Sequence, residues 1–191
     1  MTARANLDKP TAVRLTVDDF LLLGEAGAFN AYARTELIEG VIVAMNSQFA
    51  PHAFVKSELA FRLRIALEAL GSDLLVYIEG SVSMDRFNVP MPDISIVAPF
   101  PMARALVPGE AMRLAVEVAD STLSFDLKKK APVYARIGVP EYWVVDLKRK
   151  RVHRLSEPGE SGYGRVEHIP LGTSIAALSI AGLTVETDRL L

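Results

Sequence analysis

The hydrophobic positions change period several times along the chain, and each change marks an element. "LTVDDFLLLGE" predicts a short helix with Thr16 as its N-cap. Asp18 and Asp19 fall in its first turn, where the helix dipole favours acids. "TELIEGVIVAMN" alternates around Gly40 and predicts a hairpin or bent strand. "HAFVKSELAFRLRIALEALG" is the clearest helix: Val55, Leu59, Leu63, Ala66 and Leu70 recur at helical spacing, and Gly71 stops it. "LLVYIEGSVSM", "PDISIVA" and "LAVEVA" read as strands, with a Pro-rich loop between the last two. "STLSFDLKKKAPVYARIG" reads as a helical segment ending at Gly138. "EYWVVDLKRKRVHRL" predicts two strands joined by a basic turn, "GYGRVEHIPLG" a strand at a sheet edge, and "AGLTVETDRLL" a short strand and terminal turn. Residues 1–15 read as a loose leader, and no repeat or linker divides the 191 residues, which predicts one domain. Strands before and after two substantial helical segments favour an α/β or α+β layered architecture.

Composition narrows the function classes. Half the chain is hydrophobic, enough for a sizeable core. Lys and Arg total 21 against 23 for Asp and Glu, a formal charge of −2. That is not the balance of a strongly basic nucleic-acid binder, although a local basic patch remains open. The absence of cysteine removes disulfides, thiolate zinc sites and cysteine nucleophiles. No signal-like segment or bilayer-length apolar run is present, so a cytoplasmic protein with no membrane contact is expected.

The chemistry concentrates on acids placed inside apolar runs. Asp93 opens "DISIV", and Glu117 sits within "LAVEVA". A carboxylate in a buried strand costs several kcal/mol unless it is paired or binds a metal. If the two strands run side by side, the acids repel unless a proton or cation lies between them. Mg²⁺ suits such a pair, because it takes oxygen ligands and keeps waters for a phosphate. The plainer readings are a strand-start residue for Asp93 and a solvent-facing edge residue for Glu117. Lys130 ends a run of three lysines that reads equally as a solvated helix face. Against that, Asp126, Lys130 and Tyr134 share a helix face at spacing four. Pro132 either bends that helix or opens its first turn. Glu36 reads as a surface strand residue, with Glu39 a competitor at the turn, and His52 as a capping or packing residue before the long helix. No P-loop, dinucleotide turn or nucleophile elbow occurs.

The ordered set "TELIEGVIVAM", "PHAFVKSELAFRL", "MPDISIV", "LAVEVADST" and "DLKKKAPVYARIGVPEYWVVD" resembles the Uma-two family of restriction endonucleases, a branch of the PD-(D/E)xK nuclease superfamily. The resemblance runs from about Leu15 to about Leu155, and "YARIGVPEYWVVD" is its most specific piece. It implies a restriction-endonuclease-like α/β fold, a central mixed sheet flanked by helices, and Mg²⁺-dependent cleavage of DNA phosphodiesters. The superfamily's two strand acids fall on Asp93 and Glu117. Its lysine, two residues after the second acid, would be Ala119; in this family a lysine on the following helix, four residues before a tyrosine, replaces it and maps onto Lys130. The family's early glutamate maps onto Glu36, although Thr35 stands where the family has an aromatic.

The resulting expectation is a Mg²⁺- or Mn²⁺-dependent endonuclease acting on DNA. Asp93, Glu117 and the Val118 carbonyl would hold the metal. Glu36 would hold a second ion or orient the attacking water, Lys130 would face the phosphate, and His52 would be auxiliary. A homodimer is expected, since two symmetry-related sites can cut both strands. Two alternatives stay open: an inactive interaction module on the nuclease fold, and a metal-dependent hydrolase of small phosphorylated molecules.

Overall fold

The computed structural model describes residues 11–45, 47–101, 103 and 105–190. The first ten residues of the expected leader lie outside them. The remainder of the leader is tied down, with Leu15 N–H donating to the Gly40 carbonyl at 3.0 Å. Helix α1 (Val17–Glu25) starts at Thr16 with a reciprocal capping box: Thr16 caps Asp19 N–H, and the Asp19 side chain accepts from Thr16 N–H. Strands β1 (Arg34–Ile38) and β2 (Val41–Met45) form the expected hairpin. Glu39 and Gly40 both take positive φ, the requirement of its two-residue turn.

Helix α2 (Ala50–Ala69) buries Val55, Lys56, Leu59, Ala60, Leu63 and Leu67. The expected stripe holds except at its end, where Leu70 caps the helix and is exposed while Leu67 turns inward. Pro51 opens the first turn, so His52 lies inside the helix rather than before it. "LLVYIEGSVSM" divides into β3 (Leu75–Ile78) and β4 (Val82–Ser83), broken at Glu79, whose φ is +54°. Strand β5 (Ile94–Val97) follows. The Pro-rich loop carries β6 (Val107–Pro108), which pairs with β4 and leads into β7 (Met112–Ala119).

Beyond β7 come a helical turn α3 (Leu123–Phe125), a wide π turn (Asp126–Lys130) and α4 (Ala131–Arg136). Pro132 lies in the first turn of α4 and has no N–H, so the ladder changes register there. Strands β8 (Glu141–Asp146), β9 (Arg151–Gly159), β10 (Gly162–Pro170), β11 (Ser174–Ala176) and β12 (Thr184–Glu186) complete the chain.

Six strands form the central sheet in the order β10-β9-β8-β7-β5-β3. Only β7 and β8 run parallel; the other neighbours are antiparallel, so the sheet is mixed. Side chains alternate between its faces. Leu114, Val116 and Val118 pack with α2, Trp143 and Val145. Ala115 and Ala119 pack with Tyr134, Tyr142 and Val144 beneath the second helical segment. Glu117 shares the face of Ala115 and Ala119, which aims it at the segment carrying Lys130.

Candidate metal centre

The site assembles where β5 begins and β7 ends. The antiparallel register pairs Ile94 with Val116, and one further step sets Asp93 opposite Glu117. Directly opposed residues share a sheet face, and both line one cleft of about 280 Å³. Both are 2% exposed. Glu117 is therefore a central-strand residue, not the solvent-facing edge residue of the plainer reading.

Lys130 is also buried, at 0% exposure. Its Nζ donates to Glu117 Oε1 at 2.7 Å and to Glu36 Oε1 at 3.0 Å. Glu36 Oε2 is as close, at 2.9 Å, but accepts no hydrogen bond, so the ammonium faces the whole Glu36 carboxylate. Tyr134 OH reaches the same Glu117 oxygen at 3.3 Å. Spacing on the helix put Asp126, Lys130 and Tyr134 on one face, and the π turn keeps all three buried.

Asp93 is held from another side. Its Oδ2 accepts from Val118 N–H at 2.8 Å and lies 3.2 Å from His52 Nε2. Its Oδ1 accepts from Gln48 Nε2 at 3.2 Å and Arg34 Nη1 at 3.4 Å. Arg34 and Gln48 also reach Glu79, and Lys56 closes the network with bonds to Gln48 at 2.5 Å and Glu79 at 2.6 Å. Sequence reasoning missed Arg34, Gln48, Lys56 and Glu79. Arg34 had a signal: it stands two residues before Glu36 on the same strand, hence on the same face. Lys56 had one as well, four residues after His52 on one helix. Gln48 and Glu79 lie outside regular elements and had none.

Electrostatics divide the acids. Burial pushes Asp93 up, but His52, the Val118 N–H and Arg34 outweigh it and hold its pKa at about 2. Burial pushes Glu117 well above the carboxylate range; Lys130 opposes this, and Asp93, Asp126 and Glu36 reinforce it. Asp126 rises to about 6, mainly by burial, despite Lys130 and a 2.6 Å bond from Thr122 Oγ1. Burial disfavours the Lys130 ammonium, yet Glu117, Glu36 and Asp126 raise its pKa above the ordinary lysine value.

The donor set suits a hard divalent ion. Both hydrogen bonds of Glu117 fall on Oε1, leaving Oε2 without either. Ala119 O accepts from Leu147 N–H on the β8 side, so the alternating backbone turns the Val118 carbonyl to the β5 side, where its own N–H meets Asp93. No trio of His, Asp or Glu side chains is gathered as a complete metal cage among the described residues. Two carboxylates and a carbonyl leave room for waters and a phosphate, which is the habit of Mg²⁺.

The central mixed sheet flanked by helices is a nuclease fold. Residues 17–188 match the Uma2 family, described as "Putative restriction endonuclease", and the chain belongs to this family. A solved structure from Anabaena variabilis, described as a putative nuclease belonging to DUF820, is similar in fold. It has 18% identity and a TM-score of 0.69, covering 92% of this chain and 97% of that one. No curated protein matches the chain. No helix among the described residues is long and apolar enough to cross a membrane.

Proposed function

We propose that this nuclease-family chain is a Mg²⁺- or Mn²⁺-dependent endonuclease that hydrolyses DNA phosphodiester bonds. One observation carries the reading: Asp93 and Glu117 stand opposite each other in one cleft, with Lys130 buried between Glu117 and Glu36. Asp93, Glu117 and the Val118 carbonyl would hold the ion. When bound, a divalent cation neutralises phosphate charge and acidifies water. The protein's own groups do the rest. Lys130, buried behind Glu117 and outside the cleft lining, supplies a fixed positive charge that acts on the cleft through that carboxylate. Glu36, buried on β1 outside the cleft lining, orients Lys130. His52 positions Asp93 from the first turn of α2, and Arg34 offers a second cation at the cleft wall.

The test is plasmid nicking in Mg²⁺ or Mn²⁺ by the wild type and Asp93→Asn. Cleavage by the wild type alone supports the reading. Equal cleavage by both would mark it as contamination. A second reading, an interaction module without turnover, is favoured by the ion pairs that Lys130 and Arg34 already make with the acids. Calorimetry with Mn²⁺ separates the two: heat lost in Glu117→Gln supports the metal site, and no heat in the wild type supports the module. A twofold homodimer belongs to the first reading. Sedimentation at twice the 20.8 kDa chain mass would support it, and a single-chain mass would remove it.

A further inference from the structure

The turn between β8 and β9 plays no part in the cleft chemistry, yet its position and conformation both call for a reason. Lys148, Arg149 and Lys150 are consecutive and exposed in a chain of net charge −2. β8 runs parallel to β7 with Glu117 opposite Val144, so this turn leaves the sheet at the same end as the cleft. Leu147 N–H bonds the Ala119 carbonyl at 3.1 Å, which ties the turn beside Asp120 and Ser121 on the cleft wall. β8 ends at Asp146, roughly 7 Å along the strand from the level of Glu117, and the turn extends beyond it. That is at least about two base-pair steps of B-form DNA.

The turn is also held rigid. Asp146 Oδ1 accepts from Arg149 N–H at 3.0 Å, and the Arg149 guanidinium lies 3.4 Å from Asp146 Oδ2. Asp146 is 2% exposed, so its carboxylate is shielded behind the turn. Lys150 has φ +48°, a left-handed conformation that Asn or Gly adopts with less strain. A lysine kept there holds a charge in place at some expense in stability.

We propose that the Lys148–Lys150 turn is a docking surface for the sugar–phosphate backbone of a DNA duplex, gripping the strand a few nucleotides from the bond presented to Asp93 and Glu117. The inference rests on the endonuclease reading for its choice of partner. It is tested by duplex binding in EDTA at several salt concentrations, comparing the wild type with Lys148→Ser/Lys150→Asn. Losing two phosphate contacts lowers the slope of log K against log salt by about 2 and weakens binding about tenfold or more at low salt. Lys150→Asn alone should melt at the same or a higher temperature, which rules out misfolding as the cause. Unchanged affinity and slope in the double variant overturn the proposal, as does a wild type that binds no duplex. The nicking assay judges the catalytic reading separately: a salt slope that falls in a protein that never nicks keeps the turn as a DNA surface and discards the nuclease.

Discussion

Lys130 compensates two buried carboxylates on different strands, Glu36 and Glu117. Removing one partner of a buried ion pair leaves an uncompensated charge, at about 3–5 kcal/mol. Lys130→Met should therefore lower stability by that order in urea unfolding; a loss below about 1 kcal/mol would show that the cluster is already neutral. Asp93 makes a prediction in pH. Its folded pKa, about 2, lies below the ordinary 3.8, so its stabilisation is complete above about pH 4 and is lost as pH falls towards 2. The shift corresponds to about 2 kcal/mol. In EDTA, Asp93→Asn should flatten the acid limb of the stability curve by that amount, and a parallel limb in both proteins would refute the assignment. Asp126 has the opposite sign. With its pKa raised from 3.8 to about 6, it favours the fold below pH 4 and loses that contribution as pH rises through 6.

At the scale of elements, two local devices hold pieces of the fold in place. The capping box fixes the start of α1, and Thr16→Ala should cost about 1 kcal/mol in thermal or chemical unfolding. The β4–β6 pair lies under the start of β7. A Cβ on Gly109 would stand 2.9 Å from the Ser83 carbonyl and 3.3 Å from Met84 Cα. Gly109→Ala should therefore destabilise by about 1–3 kcal/mol, read as a lower melting temperature; an unchanged one would mean that the β4–β6 pair shifts freely. Most elements were legible before the structure. The 3.6-residue stripe of α2 and the apolar runs of β5, β7 and β8 each bury a large area, and burial is what their patterns encode. Short pieces were not legible: β6 and β11 have two or three residues each and exist only because a neighbouring strand pairs with them.

For the whole molecule, the expected signature is coupling between the cleft and global stability. An ion that binds only the folded state stabilises it by about 2.7 kcal/mol at a hundred times its Kd. Mn²⁺ should raise the melting temperature of the wild type but not of Asp93→Asn or Glu117→Gln. An equal rise in all three would place the ion elsewhere. His153 shows a contact that only strand pairing creates. It has no acid at metal-ligand spacing in the chain, yet the β8–β9 pairing brings its Nε2 to 3.6 Å from Asp146 Oδ2, and its ring meets His168 edge-on at 4.6 Å.

What the chain alone determined is the identity of the elements and the oddity of acids inside apolar runs, because both follow from local period and the cost of burying charge. The family resemblance gave Lys130 and Glu36 separate roles at the site; that they pair could not be read from the chain, since 94 residues separate them. Tertiary structure decided which residues meet. Strand register set Asp93 opposite Glu117, and the π turn before Pro132 buried Lys130 between two carboxylates. Packing of α2 against the sheet delivered His52 and Lys56, alongside Arg34 and Glu79. Those contacts join segments far apart in sequence, and only the packing of the hairpin and helices on the sheet brings them within hydrogen-bonding distance.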